Sequence, residues 1–401
     1  MFAAWEGKAV DHVPLTTWCF GLRAPRDLGW QRNGKPVEHW YSLRMEHIHT
    51  LCSPWTLEDD FARVLAWRRW GVDDVLDVSV PWSVAGGVEV TDTVEPGSGR
   101  EAVMARTYRT PSGSVRHAVR RTAEEVPEGW VVQPDQVPLF EDFNIPRGVR
   151  HLVTEPADVA AVPYLYAPPD AAARAWLAER LQRVGEFAAR EGVAVQAWSA
   201  FGMDAAVWLC GTEGAVLLAL DHPEAFARLM EDITATDVAR TALAASHPAV
   251  DLVVERGWYS STDFWSPDLF DRFVAPRIRE VSRAAHAQGK HFGYVMTTGV
   301  GALLGRLAAA GVDVLYFVDP VQDRVDLRAV RDTAAGAVTL VGGTNALSLT
   351  GDLKRIDEEV ARALDILGPT RRFVLHPVDA LFPDTPLGGL SELVRAWERH
   401  R

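Results

Sequence analysis

Several apolar runs in this chain end on side chains able to move protons or hold ions. Asp77 lies near the end of "DDVLDVSV", Glu255 and Arg256 close "VDLVVERG", Asp319 closes "VDVLYFVD" and Asn345 closes "AVTLVGGTN". His376 and Asp379 stand three residues apart in "HPVDA". Histidine titrates near neutrality and serves as acid, base or metal ligand. A neighbouring carboxylate would fix its tautomer and raise its pKa. Glu255 is a candidate general acid or base if it is buried against Trp258 or Trp265. A protonated carboxyl or an imidazolium could activate a methyl–oxygen or methyl–nitrogen leaving group. Each position also has a plain structural alternative. Glu255–Arg256 suits a strand-end ion pair, Asp319 before Pro320 suits a turn, and Asp379 suits a loop cap.

Other polar motifs carry less chemistry. His291 follows "QGK" at the start of an apolar run, which puts it at the foot of a strand. His47 and His49 in "RMEHIHTL" sit in a helical pattern, where residues two apart face different sides. A His, Asp and Glu cluster could bind a hard metal, but no ligand spacing supports one. "GVGALLG" at 299–305 lacks the lysine of a phosphate loop.

The elements that must position these groups alternate. Eight short β-branched or apolar runs (13–20, 73–80, 193–201, 250–257, 291–298, 312–319, 337–345, 372–379) are separated by helical patterns. In "SPDLFDRFVAPRIREVSRAAHAQG", Ser266 is an N-cap, Pro267 takes the first helical position and Gly289 stops the helix. Pro276 should kink or split it. "LKRIDEEVARALDILG" places Ile356, Val360, Leu364 and Leu367 on one face. Strand–helix alternation with right-handed crossovers predicts an α/β fold, and eight repeats predict a closed (β/α)8 barrel of the TIM type. Residues 85–150 break this rhythm. They read as a β-rich insertion after the second strand within a single domain spanning 1–401, with "TPSGSV" as a hairpin turn, and could cap the mouth. In such barrels chemistry sits at the C-terminal strand ends, which places His291 at the opposite end.

Composition narrows the partners. The chain has 401 residues, 48% hydrophobic, with a formal charge of −13 spread along its length. That argues against nucleic acid, which needs clustered Lys and Arg. No apolar stretch predicts a membrane span, and the start has no signal-peptide core. Cys19, Cys52 and Cys210 are far apart without a CxxC pair, which fits a reducing cytoplasm. Fifteen tryptophans, among them Trp67, Trp70, Trp82, Trp198 and Trp208, fit core packing or an aromatic-lined pocket for a flat or apolar ligand.

From residue 250 onward the chain resembles the uroporphyrinogen decarboxylase superfamily, which includes the zinc methyltransferases that serve corrinoid proteins. The stretches that carry the resemblance are "FWSPDLFDRFVAPRIREVSRAAHAQGK", "LLGRLAAAGVDVLYF", "VTLVGGTNAL" and "FVLHPVDALFPDTPLGGL". "DHVPLTTWC" and "DDVLDVSVPWSVAGGVEVT" are similar to the family's first two strands, and the likeness is weakest over 85–190. It implies the barrel fold, and is less specific for an activity.

The family's markers are altered. The zinc methyltransferases carry His-x-Cys-Gly at the end of the fifth strand; those positions here are Val295, Met296, Thr297 and Thr298. Their second cysteine, before "P-x-T-P", corresponds to Asp379. A thiolate zinc site needs those sulfurs, and His291 lies four residues ahead of Val295. The decarboxylase's arginine-bearing "W-x-M-R-Q-A-G-R" is here "WCFGLRAPR", with Gly21 and Pro25 at the arginine positions and Arg23 and Arg26 nearby. Its second-strand aspartate corresponds to Asp77, and its "GHG" histidine to Asp379.

The expectation is an enzyme taking a methyl group from a small methylated substrate, without the family zinc. His376 or Glu255 would donate a proton to the leaving atom, and Asp379 or Asp319 would orient it. Asp77 with Arg23 or Arg26 would bind substrate beside Trp198, Trp258 and Asn345. The resemblance implies a corrinoid protein as partner and a homodimer. No cofactor is expected in the chain itself. The alternatives are a decarboxylase or lyase acting on a small or tetrapyrrole carboxylate, and a non-catalytic barrel that binds a ligand or a corrinoid protein.

Overall fold

The computed structural model describes residues 1–42, 55–96, 102–121, 128–130, 137–142 and 144–401. His47, His49 and Cys52 lie outside the described residues. Seven parallel strands pair in chain order: Leu76–Ser79, Val195–Ala200, Leu252–Glu255, His291–Val295, Val314–Val318, Thr339–Asn345 and Phe373–Val378. They are the second to eighth strands of a barrel. The first position is filled by residues 14–16. Thr16 N–H donates to Leu375 O at 3.0 Å, Leu375 N–H to Pro14 O at 2.8 Å, and Asp73 N–H to Leu15 O at 2.9 Å. These bonds join the eighth strand to the foot of the second and close the ring.

Strand alternation sorts the side chains. Val75, Trp198, Leu252, Val254, Val295, Val314, Tyr316, Val341, Val374 and Val378 fill the barrel interior. Leu76, Val78, Val195, Val253, Phe292, Tyr294, Leu315 and Leu375 pack outward against the helices. This parity places Asp77 and His376 inward and Glu255 outward. His291 starts the fifth strand, beside Trp5 of the N-terminal helix Phe2–Glu6, with ring centroids 6.4 Å apart.

The helix after the fourth strand is divided ahead of Pro276. Ser266 caps Pro267–Leu269, a π-turn spans Phe270–Val274, and the α-helix resumes at Ala275–His286. Proline cannot donate to the preceding turn, and the wider turn absorbs the missing bond. Ile356, Val360, Leu364 and Leu367 are buried on the helix Leu353–Leu367. At "GVGALLG", the Gly299 and Val300 amides donate to Asp323 at 2.8 and 3.0 Å. A carboxylate thus caps that helix where a phosphate would need to bind.

Between the second and third strands lies a four-stranded antiparallel sheet of Glu89–Glu95, Val103–Thr110, Gly113–Arg120 and Gly148–Arg150, paired in that order. Thr110 pairs with Gly113 at the hairpin turn, where Gly113 takes φ +129. Among the described residues, no single helix is long and apolar enough to cross a membrane.

Candidate active site

The C-terminal strand ends open into a cavity of about 460 Å³. Its wall is aromatic. Trp18, from the loop after the first strand, lies 5.2 Å from Trp198 and 6.0 Å from Trp258, centroid to centroid. Trp198 and Trp258 are 6.3 Å apart. Phe382, also in the lining, lies 5.4 Å from Phe20, and Trp130 stacks on Phe382 at 5.6 Å. Trp130 and Asp142, from the segment between the second and third strands, both line the cavity.

The polar lining is mostly acidic: Asp142, Asp263 and Asp379, with Arg256 and Thr297. Arg256 is already paired. Its Nη2 donates to Asp142 Oδ2 and its Nε to Asp204 Oδ2, each at 3.1 Å, and its guanidinium lies 4.3 Å from the Trp258 ring centroid. Asp142 also accepts from Trp208 Nε1 at 2.8 Å and the Tyr259 hydroxyl at 3.1 Å. Burial pushes the Asp204 carboxyl up to about 6 against the pull of Arg256. Asp263 accepts the Thr298 hydroxyl at 2.5 Å.

Of the residues expected at the site, Trp198, Trp258 and Asp379 line the cavity. His376 lies beneath it, fully buried, its ring 5.2 Å from Trp18 and 5.9 Å from Phe317. Its Nδ1 is 3.2 Å from Thr16 Oγ1, and its Nε2 is 3.2 Å from the main-chain carbonyl of Asp379. Phe317 reaches this layer through a register shift at the end of the sixth strand, where it holds φ +75. Asp77 is deeper in the barrel. It accepts from Gln196 Nε2 at 2.5 Å and Trp198 Nε1 at 2.7 Å.

Glu255, Asp319, Asn345, Arg23 and Arg26 meet a different placement. Glu255 points outward into the helix layer, against Gly202, where a Cβ would collide with its Oε1. Burial and the nearby carboxylates of Asp237 and Asp204 push its pKa well up, and Oε2 has no hydrogen-bond partner. Asp319 shapes the turn after the sixth strand, accepting from the Val321 and Gln322 amides at 2.7 and 3.2 Å. Asn345 Nδ2 donates to Asp319 Oδ2 at 2.7 Å, so that pair is spent on the turn. Arg23 and Arg26 are exposed and do not line the cavity. Arg23 ends an antiparallel pairing of Phe20–Arg23 with His39–Tyr41, and it is Phe20, at the other end of that strand, that lines the cavity.

The three positions of the family zinc ligands can be tested by donor chemistry. Thr297 and Asp379 line the cavity, but Val295 has no donor and packs in the barrel interior. The Thr297 hydroxyl donates to Trp258 O at 3.3 Å. Neither Cys19 nor Cys210 lines this cavity. These residues do not fit a zinc–thiolate centre. Among the described residues, one trio of ligand-type side chains gathers with its ligand atoms within 4.8 Å, Glu38, His39 and Glu128, and it is outside the cavity lining.

Sequence reasoning missed Trp18, Asp142, Asp204 and Asp263. Trp18 was open to the same aromatic-pocket reading that singled out Trp198. Asp142 and Asp263 lie in irregular segments without periodicity.

The family model of uroporphyrinogen decarboxylase (URO-D) matches residues 143–400. The chain belongs to the URO-D family. Its fold is shared with a methyltransferase from Methanosarcina mazei, at 16% identity and TM-score 0.56, over 99% of this chain and 96% of that one. A muconate lactonizing enzyme from Pseudomonas putida aligns at 9% identity and TM-score 0.26, over 79% and 78% of the two chains. No curated protein sequence matches the chain. Within the URO-D family, this member carries an aromatic cavity at the C-terminal strand ends that Asp142, Asp263 and Asp379 also line.

Proposed function

We propose that this URO-D family member is an enzyme that takes a methyl group from a small methylated substrate held in the strand-end cavity. The supporting observation is the cavity's lining. Tryptophan side chains offer an apolar, polarizable wall for methyl groups, and among the described residues the guanidinium that lines the wall, that of Arg256, is engaged by Asp142 and Asp204. A substrate with several carboxylates would need free cations. It would meet Asp142, Asp263 and Asp379 instead, which disfavours decarboxylation of a porphyrinogen.

The roles follow from position. Trp18, Trp198 and Trp258 pack against the substrate, and Asp263 and Asp379 orient it. His376 supports the floor under Trp18, and Asp77 fixes the Trp198 indole. The methyl acceptor is a reduced corrinoid brought by a partner protein. Cys19 and Cys210 are buried and not joined in a disulfide, which fits a reducing cytoplasm.

The test is methyl transfer from a panel of methylated oxygen, nitrogen and sulfur compounds to free reduced cobalamin, followed by absorbance. Protein-dependent methylation by at least one donor is expected. Carbon dioxide release from a carboxylate substrate, with no methylation from any donor, would overturn the reading.

A further inference from the structure

We propose that Phe317 is a positioning residue that sets the depth of the strand-end cavity, and with it the size of the group from which a methyl is taken. The depth rests on geometry alone. The choice of donor rests on reading the cavity as the site of methyl transfer.

Phe317 breaks the alternation of its strand. Along Val314–Val318, Val314 and Tyr316 face the barrel interior and Leu315 packs outward. Strict alternation would send Phe317 outward as well. It packs in the interior instead, directly after Tyr316, and Val318 takes the outward place. The pairing shows how. Tyr316 lies opposite Val341 and Val318 opposite Gly342, so Phe317 is the extra residue of a bulge. It holds φ +75, a backbone conformation that a bulky residue rarely adopts. The neighbouring strand is shaped to accept it. Gly342 holds φ +147, and a Cβ there would lie 2.4 Å from Val318 O. Strained bulges persist only where their surroundings hold them, and they re-aim side chains beside functional sites. Core packing alone needs no bulge, because an outward ring would be buried among the helices without backbone strain.

The re-aimed ring lands under the cavity. Its centroid is 4.8 Å from Trp18 and 5.5 Å from Trp258, both in the cavity wall, and 5.9 Å from His376. It meets the Trp258 ring at 85° and is fully buried. Phe317 is thus the wedge that keeps Trp18 and Trp258 from settling deeper into the barrel. A corrinoid reaches the cavity only from its mouth. The methyl then faces outward, and the group it leaves points down toward Trp18, Trp258 and the ring beneath them. A smaller side chain in place of Phe317 deepens the cavity and admits a larger leaving group.

Two measurements on the whole chain test this. In the first, Phe317→Cys and Leu315→Cys are treated with methyl methanethiosulfonate. Peptide mass spectrometry separates the introduced thiol from Cys19, Cys52 and Cys210. The thiol of Phe317→Cys faces the emptied floor and should react about tenfold or more faster than that of Leu315→Cys, which faces the helices. In the second, methylation of free reduced cobalamin is compared for dimethyl sulfide and methyl phenyl sulfide. The ratio of their kcat/KM values should shift toward the phenyl donor by about tenfold or more in Phe317→Gly, and by less in Phe317→Leu. The intrinsic reactivity of the donors cancels between variants, and a general loss of stability lowers both rates together. Glycine suits φ +75, so Phe317→Gly empties the floor without backbone strain. Equal thiol reactivity in the two folded cysteine variants would overturn the inference, and so would an unchanged donor ratio in folded Phe317→Gly. Fast labelling of Phe317→Cys with no methylation of cobalamin by any variant would keep the depth and remove the transfer reading.

Discussion

The indole N–H of Trp198 donates to Asp77 Oδ1 at 2.7 Å, inside the barrel and below the cavity. The same oxygen accepts from Gln196 Nε2, and Gln196 Oε1 accepts the Tyr316 hydroxyl at 2.7 Å. A polar layer from three strands therefore sets the angle of one tryptophan wall. Asp77→Leu should strip two buried donors of this acceptor, at about 1–3 kcal/mol each. Asp77→Asn keeps a carbonyl oxygen and should lose less. Urea denaturation of both variants checks the order; equal stability of Asp77→Leu and wild type would refute the layer's role.

Glu255 gives a signed pH dependence. Its folded pKa is raised well above the ordinary 4.5 by burial and by Asp237 and Asp204. Above about pH 4.5 the unfolded chain releases this proton while the folded chain keeps it. Its contribution to stability is therefore full below that pH and declines as pH rises toward the folded value, by about 1.4 kcal/mol per pH unit. Glu255→Gln removes the penalty. Its stability relative to wild type should rise as pH increases above about 4.5, measured by urea denaturation at each pH. A constant difference across that range would show that Glu255 ionises normally in the fold.

The barrel was legible because its signals are periodic. Apolar runs alternate with capped helices, as Ser266, Pro267 and the face of Ile356 and Val360 show, and strand parity then fixes which side chains face inward. The same parity separates His376, which faces the interior, from Glu255, which faces the helices, although both sit at strand ends. Strand-end position alone could not say this, because a one-residue change of register reverses the side. Asp319 and Asn345 were ambiguous for another reason. A strand-end carboxylate and amide serve a turn or a substrate equally well until their partners are known. The acidic lining was hidden because Asp142 and Asp263 come from irregular segments, where spacing carries no information about direction.

Arg256 joins the wall to the helix layer. Its partner Asp204 is fully buried and also accepts the Tyr259 amide at 2.9 Å. Arg256→Met should leave that carboxylate without a cation, at about 3–5 kcal/mol of stability. Adding Asp204→Asn should recover a large part of the loss, since the uncompensated charge is then gone. Thermal or urea unfolding of the two single variants and the double variant measures the coupling. Simple additivity of the two losses would mean that the pair does not act as a unit.

His376 separates support from proton transfer. Its two ring nitrogens lie 3.2 Å from Thr16 Oγ1 and from the Asp379 carbonyl, and its ring packs on Trp18 and Phe317. His376→Phe keeps the ring and removes both polar contacts. If the residue holds the floor, the variant should lose about 1–3 kcal/mol of stability. Turnover with a methylated donor should keep the wild-type pH profile. A proton donor would behave otherwise, because its removal costs roughly 10²–10⁴ in rate and deletes a limb of the pH profile. A folded His376→Phe variant that turns over at that reduced rate and has lost the limb would assign the imidazole to chemistry and require a donor whose leaving atom takes a proton.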